Sequence, residues 1–292
     1  LPLLFLTVML LRGQKMILGR KGYSIVGGKS GQPRLIRLGW FVVPAMTFVF
    51  IVLMLPVFLP YFALFNAAFS PIATTLLTPS NFTMKNFYFT FFELSTTQLA
   101  LKNTFILGAA AATIGTVLAL AISYATERKA VTGYRVLGFL ATAPLAIPGI
   151  PFVLFGTLWV LLIAYITIEL PAAYQQLQSA FRAVHPELED ASRILGATRL
   201  RTLRDVTAPL LRTSVLATWC FIFVSTIREL SAAIMLFTSE TKVVSVLIFD
   251  LKESGELGAI AILGLSMLFL TFAVVIFVNR IPGFGGSGLR NT

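Results

Sequence analysis

The sequence predicts an all-α, polytopic membrane protein with six complete transmembrane helices, preceded by the end of another helix. Hydrophobic residues make up 57% of the 292-residue chain and charged residues only 12%, which is about half the charged share of a soluble domain. Apolar runs recur that are long enough to cross a bilayer, for which a helix needs about twenty residues. Basic residues collect in alternate loops, as they do on the cytoplasmic side of membrane proteins.

The composition also excludes several classes of function. A formal net charge of +11 is typical of nucleic-acid-binding proteins, but in so apolar a chain it indicates loop topology, so we expect contact with membrane lipid and not with nucleic acid. With one cysteine, Cys220, and one histidine, His185, the chain has no disulfide framework and no Cys/His metal cluster of its own. We expect no catalytic residues, no metal site and no cofactor in this chain.

The first 38 residues are predicted to be the end of a preceding transmembrane helix and a basic cytoplasmic linker. Leu1 to Leu11 are apolar but too few to span a bilayer, so they are either a signal-peptide core or the end of an earlier helix. A signal peptide begins with positive charge and ends in small residues. This segment begins apolar and ends at Arg12, which favours the truncated helix. The loop 11–38 holds seven basic residues and no acid, a cytoplasmic pattern.

We expect a six-helix transmembrane domain at 39–280, followed by a cytoplasmic tail, 281–292. The predicted spans are 39–65, 103–126, two within 136–183, 210–237 and 257–278. The segments 66–102 and 238–256 are predicted to be external, and the remaining loops cytoplasmic. Eighteen of the 23 basic residues then lie on the cytoplasmic side, which places both ends of the chain there. The second span is rich in Ala and Gly, which allow close helix approach in lipid.

The most informative stretch is a charged, helix-forming segment, 186–209, which we call the polar segment. Pro186 suits the first turn of a helix. Three acids follow where the helix dipole favours them: Glu187, Glu189 and Asp190. An apolar stripe lies at helical spacing: Leu188, Ala191 and Leu195. Gly196 is expected to bend or end the helix. From the spacing alone, an ordinary helical loop explains the pattern as well as a docking surface does.

The polar segment resembles the EAA loop of permease subunits in binding-protein-dependent ABC importers. That motif is Glu-Ala-Ala, three residues, Gly, nine residues, an aliphatic residue, any residue and Leu-Pro. Here the triplet is Asp190-Ala191-Ser192. Gly196 and Val206 lie at the spacing that the motif requires, and Ala208-Pro209 ends it. The departures are Asp for Glu, Ser for Ala and Ala for Leu. The resemblance covers 39–280 and implies the type I importer permease fold.

In that family the loop is a coupling helix that binds a cytoplasmic ATPase. The resemblance therefore implies an ATPase dimer as partner, which binds ATP and Mg and hydrolyses ATP, and an extracytoplasmic solute-binding protein. The permease itself is then not an enzyme, and it resides in the bacterial inner membrane. The residues expected to couple to the ATPase are Glu187, Leu188, Glu189, Asp190, Ala191, Ser192, Leu195, Gly196 and Ala197.

A second candidate site is the pair Arg228-Glu229, which falls within the predicted fifth span. Charges inside a span are costly and usually face a pathway or a partner; an internal ion pair or an interfacial pair is the alternative. Adjacent residues on a helix point about 100° apart, so we expect one to face the pathway and the other a neighbouring helix. The predicted pathway residues are Arg228, Glu229 and Ser231. Glu169 is expected to be solvated near a helix end.

The cargo is suggested by resemblance alone. The run RELSAAIMLF at 228–237 resembles the ferric-iron branch of the permease family, as does VVSVLIFDLKESGELGAIAILG at 243–264. The linker at 19–39 resembles the segment that joins two halves in fused iron-type permeases. Ferric iron and a second permease half fused upstream are therefore implied, with sugar phosphates, phosphonates and polyamines as alternative cargoes. The competing class, an ion-coupled secondary transporter, gives the polar segment no role.

Overall fold

The computed structural model describes residues 39–142 and 156–280, and their regular structure is helical throughout. Five stretches are long and apolar enough to cross a membrane: Gly39–Phe69, Ser95–Glu127, Leu158–Ala183, Leu203–Arg228 and Leu257–Val278. These findings confirm an all-α, polytopic membrane protein. The other crossing expected within 136–183 falls partly on 143–155, outside the described residues. The predicted preceding helix, linker and tail also lie outside them.

Twelve α-helices follow one another in the described part of the chain. In chain order they are α1 Val42–Leu53, α2 Leu59–Phe69, α3 Lys85–Tyr88, α4 Ser95–Glu127, α5 Tyr134–Thr142, α6 Leu158–Ala183, α7 Pro186–Ile194, α8 Arg199–Thr202, α9 Ala208–Arg228, α10 Ser231–Leu236, α11 Val244–Glu253 and α12 Leu257–Asn279. The chain divides into two units, Leu1–Leu53 and Met54–Thr292. In the first, the described residues 39–53 form α1 and the turn before it, with every side chain exposed.

In the second unit the longest helix, α4, packs along both α6 and α9. Its buried face includes many small residues: Ala100, Gly108, Ala111, Ala112, Gly115 and Ala119. A Cβ atom on Gly108 would lie 2.9 Å from Cγ2 of Ile227, and one on Gly115 would lie 3.2 Å from Cδ1 of Ile222. Small residues at these positions let the two backbones approach closely, as the sequence predicts.

The same helix holds the chain that follows α10. The side-chain amide of Asn103 donates to the carbonyl oxygens of Glu240 and Lys242, each at 3.0 Å. The hydroxyl of Thr104 accepts from the backbone N–H of Val244 at 2.9 Å. Buried backbone groups need such partners wherever no helix supplies them. Two polar side chains of α4 therefore fix the path of 240–244 at this end of the helix.

The segment 238–256, which the sequence predicts to be an external loop, is partly helical. It contains α11, whose apolar side chains are buried against neighbouring helices: Val244, Val246, Leu247 and Leu251. The sequence does not reveal this helix because charged residues in the segment are typical of an exposed loop. Lys242 instead pairs with Asp250 at 2.7 Å, so the two charges neutralise each other beside an apolar helix.

The other predicted external segment, 66–102, is also shorter than expected. Residues 95–102 are the first two turns of α4, and α3 lies at Lys85–Tyr88. The loop between α2 and α3 is held by Asn66, whose side chain donates to the carbonyl of Thr75 at 2.8 Å and accepts from the N–H of Leu77 at 2.6 Å. The exposed loop is thus confined to about 70–84.

The close approach of α4 to α9 can be tested with one substitution at two sites. Gly108→Ala and Gly264→Ala both add a methyl group within a helix, and both gain helix propensity. At Gly264 the new Cβ meets Leu64 at an ordinary 3.6 Å, whereas at Gly108 it overlaps Ile227. We expect Gly108→Ala to be less stable than Gly264→Ala by about 1–3 kcal/mol, measured by thermal unfolding in detergent. Equal stability of the two variants would contradict the packing.

Candidate functional site

The polar segment begins with the nine-residue helix α7. Pro186 occupies its first turn with two acids, Glu187 and Glu189, and Arg193 lies in its last turn, which matches the helix dipole at both ends. Gly196 follows with φ +88°, the left-handed region that favours glycine. Its N–H bonds to the carbonyl of Arg193 and that of Ala197 to the carbonyl of Ser192. This pair of bonds is a Schellman motif, so Gly196 ends the helix as predicted.

One face of α7 and its C-terminal turn present apolar side chains to the surface. Leu188 is 49% exposed and Leu195 is 89% exposed, and Ala191 between them is also exposed. Ile194, which is not among the predicted coupling residues, is 86% exposed. Apolar side chains grouped in this way are typical of an interaction surface. We call this set, Leu188, Ala191, Ile194 and Leu195, the exposed stripe.

Glu189 does not belong to the exposed stripe, although it is among the predicted coupling residues. Its side chain is buried, and its Oε1 atom accepts from Nε of Arg128 at 3.0 Å and from the hydroxyl of Thr207 at 2.9 Å. Arg128 donates a further bond to the carbonyl of Val184 at 3.1 Å and lies over the ring of Phe181. The carboxylate therefore binds within the chain and is not available to a partner.

The remaining candidate residues of the polar segment are divided between surface and interior. Glu187 and Asp190 are exposed and make only loose ion pairs, with His185 at 3.5 Å and Arg193 at 3.8 Å. Ser192 is partly buried, and its hydroxyl accepts from the hydroxyl of Thr202 at 3.2 Å. Ala197 is also partly buried. The exposed part of the predicted coupling set is therefore Glu187, Leu188, Asp190, Ala191, Leu195 and Gly196.

The Arg228-Glu229 pair lies at a break between helices, so the prediction that both residues share one helix is wrong. Arg228 is the last residue of α9, and Glu229 has an extended backbone. The Glu229 carboxylate accepts from the backbone N–H of Ala232 at 3.1 Å, at the start of α10. An acceptor there satisfies an N–H that has no partner within the helix. The predicted fifth span is therefore α9 and α10 in sequence, and Ser231 is the exposed first residue of α10.

Arg228 and Glu229 line an open groove along α9 with five other residues: Ala217, Cys220, Phe221, Val224 and Ser225. We call it the α9 groove. Arg228 is exposed and Glu229 is partly buried. Neither is part of an ion pair within residues 39–142 and 156–280. The groove therefore presents an unpaired cation at the end of α9 and a carboxylate directly after it.

Glu169 lies behind the α9 groove, and its expected place near a solvated helix end is wrong. It occupies the interior of α6 and is only 6% exposed. Its carboxylate accepts from the hydroxyl of Ser225 at 2.5 Å. A carboxylate in the apolar run LLIAYITIEL, 161–170, is the sequence signal for this position, since acids inside spans are rare and functional. Glu169 is thus connected to the groove through Ser225, one of its lining residues.

Comparison with known proteins identifies the family. A scan against models of protein families matches none of them. The ferric transport system permease protein FbpB of Actinobacillus pleuropneumoniae is 26% identical over 197 residues, which are 63% of this chain and 29% of that protein. The putative ferric transport system permease-like protein AfuB of Escherichia coli K12 is 35% identical over 95 residues, covering 32% of this chain and 78% of that protein. The chain belongs to the permease family of binding-protein-dependent ABC importers.

The permease also shares its fold with a transporter of known structure. The structure of a bacterial alginate ABC transporter, in complex with an alginate pentasaccharide-bound periplasmic protein, superposes with a TM-score of 0.61 at 14% identity. The match covers 82% of the permease and 93% of that chain. The permease spans less than a third of the length of FbpB. The relatives are named for ferric transport and the structural neighbour for alginate transport. Membership of the family therefore does not determine the cargo.

The bond between Glu169 and Ser225 is open to a mutational test. Ser225→Ala removes the donor to a buried carboxylate, and we expect a loss of about 1–3 kcal/mol in stability. Ser266→Ala is the matched control, because its hydroxyl bonds only to the carbonyl of Ile262 in the same helix. Thermal unfolding in detergent measures both. In a Glu169→Gln background the cost of Ser225→Ala should fall, and an unchanged cost would contradict the pairing.

Proposed function

We propose that this chain is the membrane-spanning permease of an ATP-driven importer in the bacterial inner membrane. It takes a solute from an extracytoplasmic binding protein and is completed by a second permease half, which is fused upstream. The exposed stripe on α7 is the observation that carries the proposal, because a helix outside the spans that presents apolar side chains needs a partner. The bound periplasmic protein of the alginate transporter supports the role of a binding protein.

The partner of the exposed stripe is a separate cytoplasmic ATPase dimer, which binds ATP and Mg. Leu188, Ala191 and Leu195 contact it, with Glu187 and Asp190 at the rim of the contact. The polar segment then lies in the cytoplasm, as the basic residues in its second half favour. The binding protein docks on the opposite side, at the exposed loop near 70–84 and the chain between α10 and α12.

Transport proceeds by alternating access. Closure of the ATPase dimer moves α7, and the chain continues from α7 through α8 directly into α9. The α9 groove lies at the far end of α9, so a shift of the polar segment reaches the pathway through one helix. The small residues of α4 keep that helix in close contact with α9, and the two therefore move together.

The pathway is the α9 groove, with Ser225, Arg228 and Glu229 facing it and Glu169 behind Ser225. Uncompensated charges inside a membrane domain usually face a substrate path or a partner. The carboxylates of Glu169 and Glu229 favour a cation, and relatives named for ferric transport support ferric iron as the cargo. The exposed guanidinium of Arg228 favours the alternative, a solute with a phosphate or phosphonate group, because such groups match its donors.

The cargo and the energy source can be tested together. The permease with its upstream half, ATPase and binding protein is reconstituted in proteoliposomes, and uptake of radiolabelled ferric iron is measured with and without ATP. We expect uptake that needs both ATP and the binding protein. Uptake driven by a proton or sodium gradient without the ATPase would instead indicate a secondary transporter. Uptake of a phosphonate but not of iron would assign the alternative cargo.

Gly196 provides a test of coupling. Its φ is +88°, and no atom lies within 4 Å of the position that a Cβ would occupy, so Gly196→Asp strains the backbone but meets no steric obstacle. We expect the spans to insert normally while ATP hydrolysis continues and uptake falls. Gly133→Asp is the control, because Gly133 has φ +85° and equally open surroundings but lies outside the polar segment. Normal uptake per ATP in Gly196→Asp would contradict the coupling role of α7.

A further inference from the structure

The buried carboxylate of Glu189 lies where the ends of several spans meet. Its two donors are Arg128, the residue directly after α4, and Thr207, the residue directly before α9. Arg128 also donates to the carbonyl of Val184, the residue directly after α6. We call Arg128, Glu189 and Thr207 the Glu189 cluster. Glu189 thereby joins α7 to the adjacent ends of α4 and α9, and Arg128 extends the connection to the end of α6.

The Glu189 cluster differs from the other ion pairs near the polar segment in its burial. The side chains of Arg128 and Glu189 are 13% and 11% exposed. In the Arg201–Asp205 pair the corresponding fractions are 75% and 52%. Exposed pairs contribute little to stability, whereas removing one partner of a buried pair leaves an uncompensated charge in the interior. The geometry of the Glu189 cluster is therefore strongly maintained, and that of the exposed pairs is not.

The Glu189 cluster and the exposed stripe lie on opposite faces of α7. Residues two apart on a helix point in nearly opposite directions, since each step turns the helix by about 100°. Ala191 is therefore on the exposed face when Glu189 is on the buried face. A short helix with one face open to a partner and the other bonded to the ends of two spans is suited to transmitting displacement.

We propose that Glu189 is a positioning residue that transmits displacement of α7 to α4 and α9 at the same time. The inference rests on the proposed coupling to an ATPase and assigns Glu189 a role within the chain instead of a contact with that partner. Because one oxygen atom accepts from both Arg128 and Thr207, neither span can shift relative to α7 without breaking a buried, charge-assisted hydrogen bond. The two spans that contact each other at Gly108 and Gly115 are thereby held in register during transport.

The test uses the complete transporter in proteoliposomes, and the quantity measured is solute imported per ATP hydrolysed. Glu189→Gln keeps the shape of the side chain but removes its charge, and we expect the ratio to fall by roughly fivefold or more, the usual scale of a coupling energy. ATP hydrolysis itself continues. Arg201→Gln, which breaks an exposed pair in the same segment, should leave the ratio unchanged. The double variant Arg128→Glu with Glu189→Arg restores opposite charges and should recover part of the ratio.

A second pair of variants isolates the bond to α9. Thr207→Val removes the hydroxyl that donates to Glu189, and Thr226→Val makes the same change on α9, where the buried hydroxyl has no partner among the described residues. Only Thr207→Val should lower the ratio. Labelling of a cysteine placed at Leu195 in each variant reports whether α7 is still folded and exposed.

The outcomes separate the two proposals. If the unmodified transporter shows no ATP-dependent uptake, the proposed function fails, and the role of Glu189 fails with it. If the unmodified transporter couples normally and Glu189→Gln retains its ratio, the positioning role alone is overturned. If Thr226→Val lowers the ratio of solute imported per ATP as much as Thr207→Val does, the positioning role is also overturned, because the effect is then one of general packing. Aggregation of Glu189→Gln together with full coupling in Thr207→Val would overturn it as well.

Discussion

The contact between α4 and α9 is the constraint on which the other features depend. Lipid tails are as apolar as the helices, so helices in a membrane associate through close packing and polar bonds. Gly108 and Gly115 allow that packing, because a Cβ at either position would press on Ile227 or Ile222. With α9 so placed, Ser225 reaches Glu169 on α6. The same arrangement brings the start of α9 beside the end of α4, where Glu189 bonds to both.

Charged side chains are few in this protein, at 12% of the residues, and several buried polar side chains satisfy a specific backbone group or charge. Asn103 and Thr104 satisfy the backbone before α11, Glu229 satisfies the first turn of α10, and Glu189 satisfies Arg128. These bonds lie at helix ends, where backbone groups lack partners within the helix. The apolar surfaces determine which helices associate, and the polar bonds at their ends determine how each helix is aligned.

The features that can be predicted from the sequence are those that depend on local pattern. Spans follow from apolar runs, the small-residue face of α4 follows from composition, and the end of α7 follows from Gly196. The errors concern contacts and helix continuations that the local pattern does not reveal. Glu169 is expected near a helix end, but α6 continues past Pro171. The segment 238–256 is expected to be a loop because of its charges, but Lys242 pairs with Asp250 beside a buried helix. The burial of Glu189 is of the same kind, since its donors lie 61 and 18 residues away.

The length of α4 has a consequence for both membrane surfaces. Its 33 residues extend roughly 50 Å at 1.5 Å per residue, whereas the hydrocarbon core is only about 30 Å thick. The helix must therefore tilt or project beyond the core, and its charged terminus near Arg128 reaches the hydrated headgroup layer. A thicker bilayer favours a more upright α4, so bilayer thickness affects the tilt of the helix against which both α6 and α9 pack.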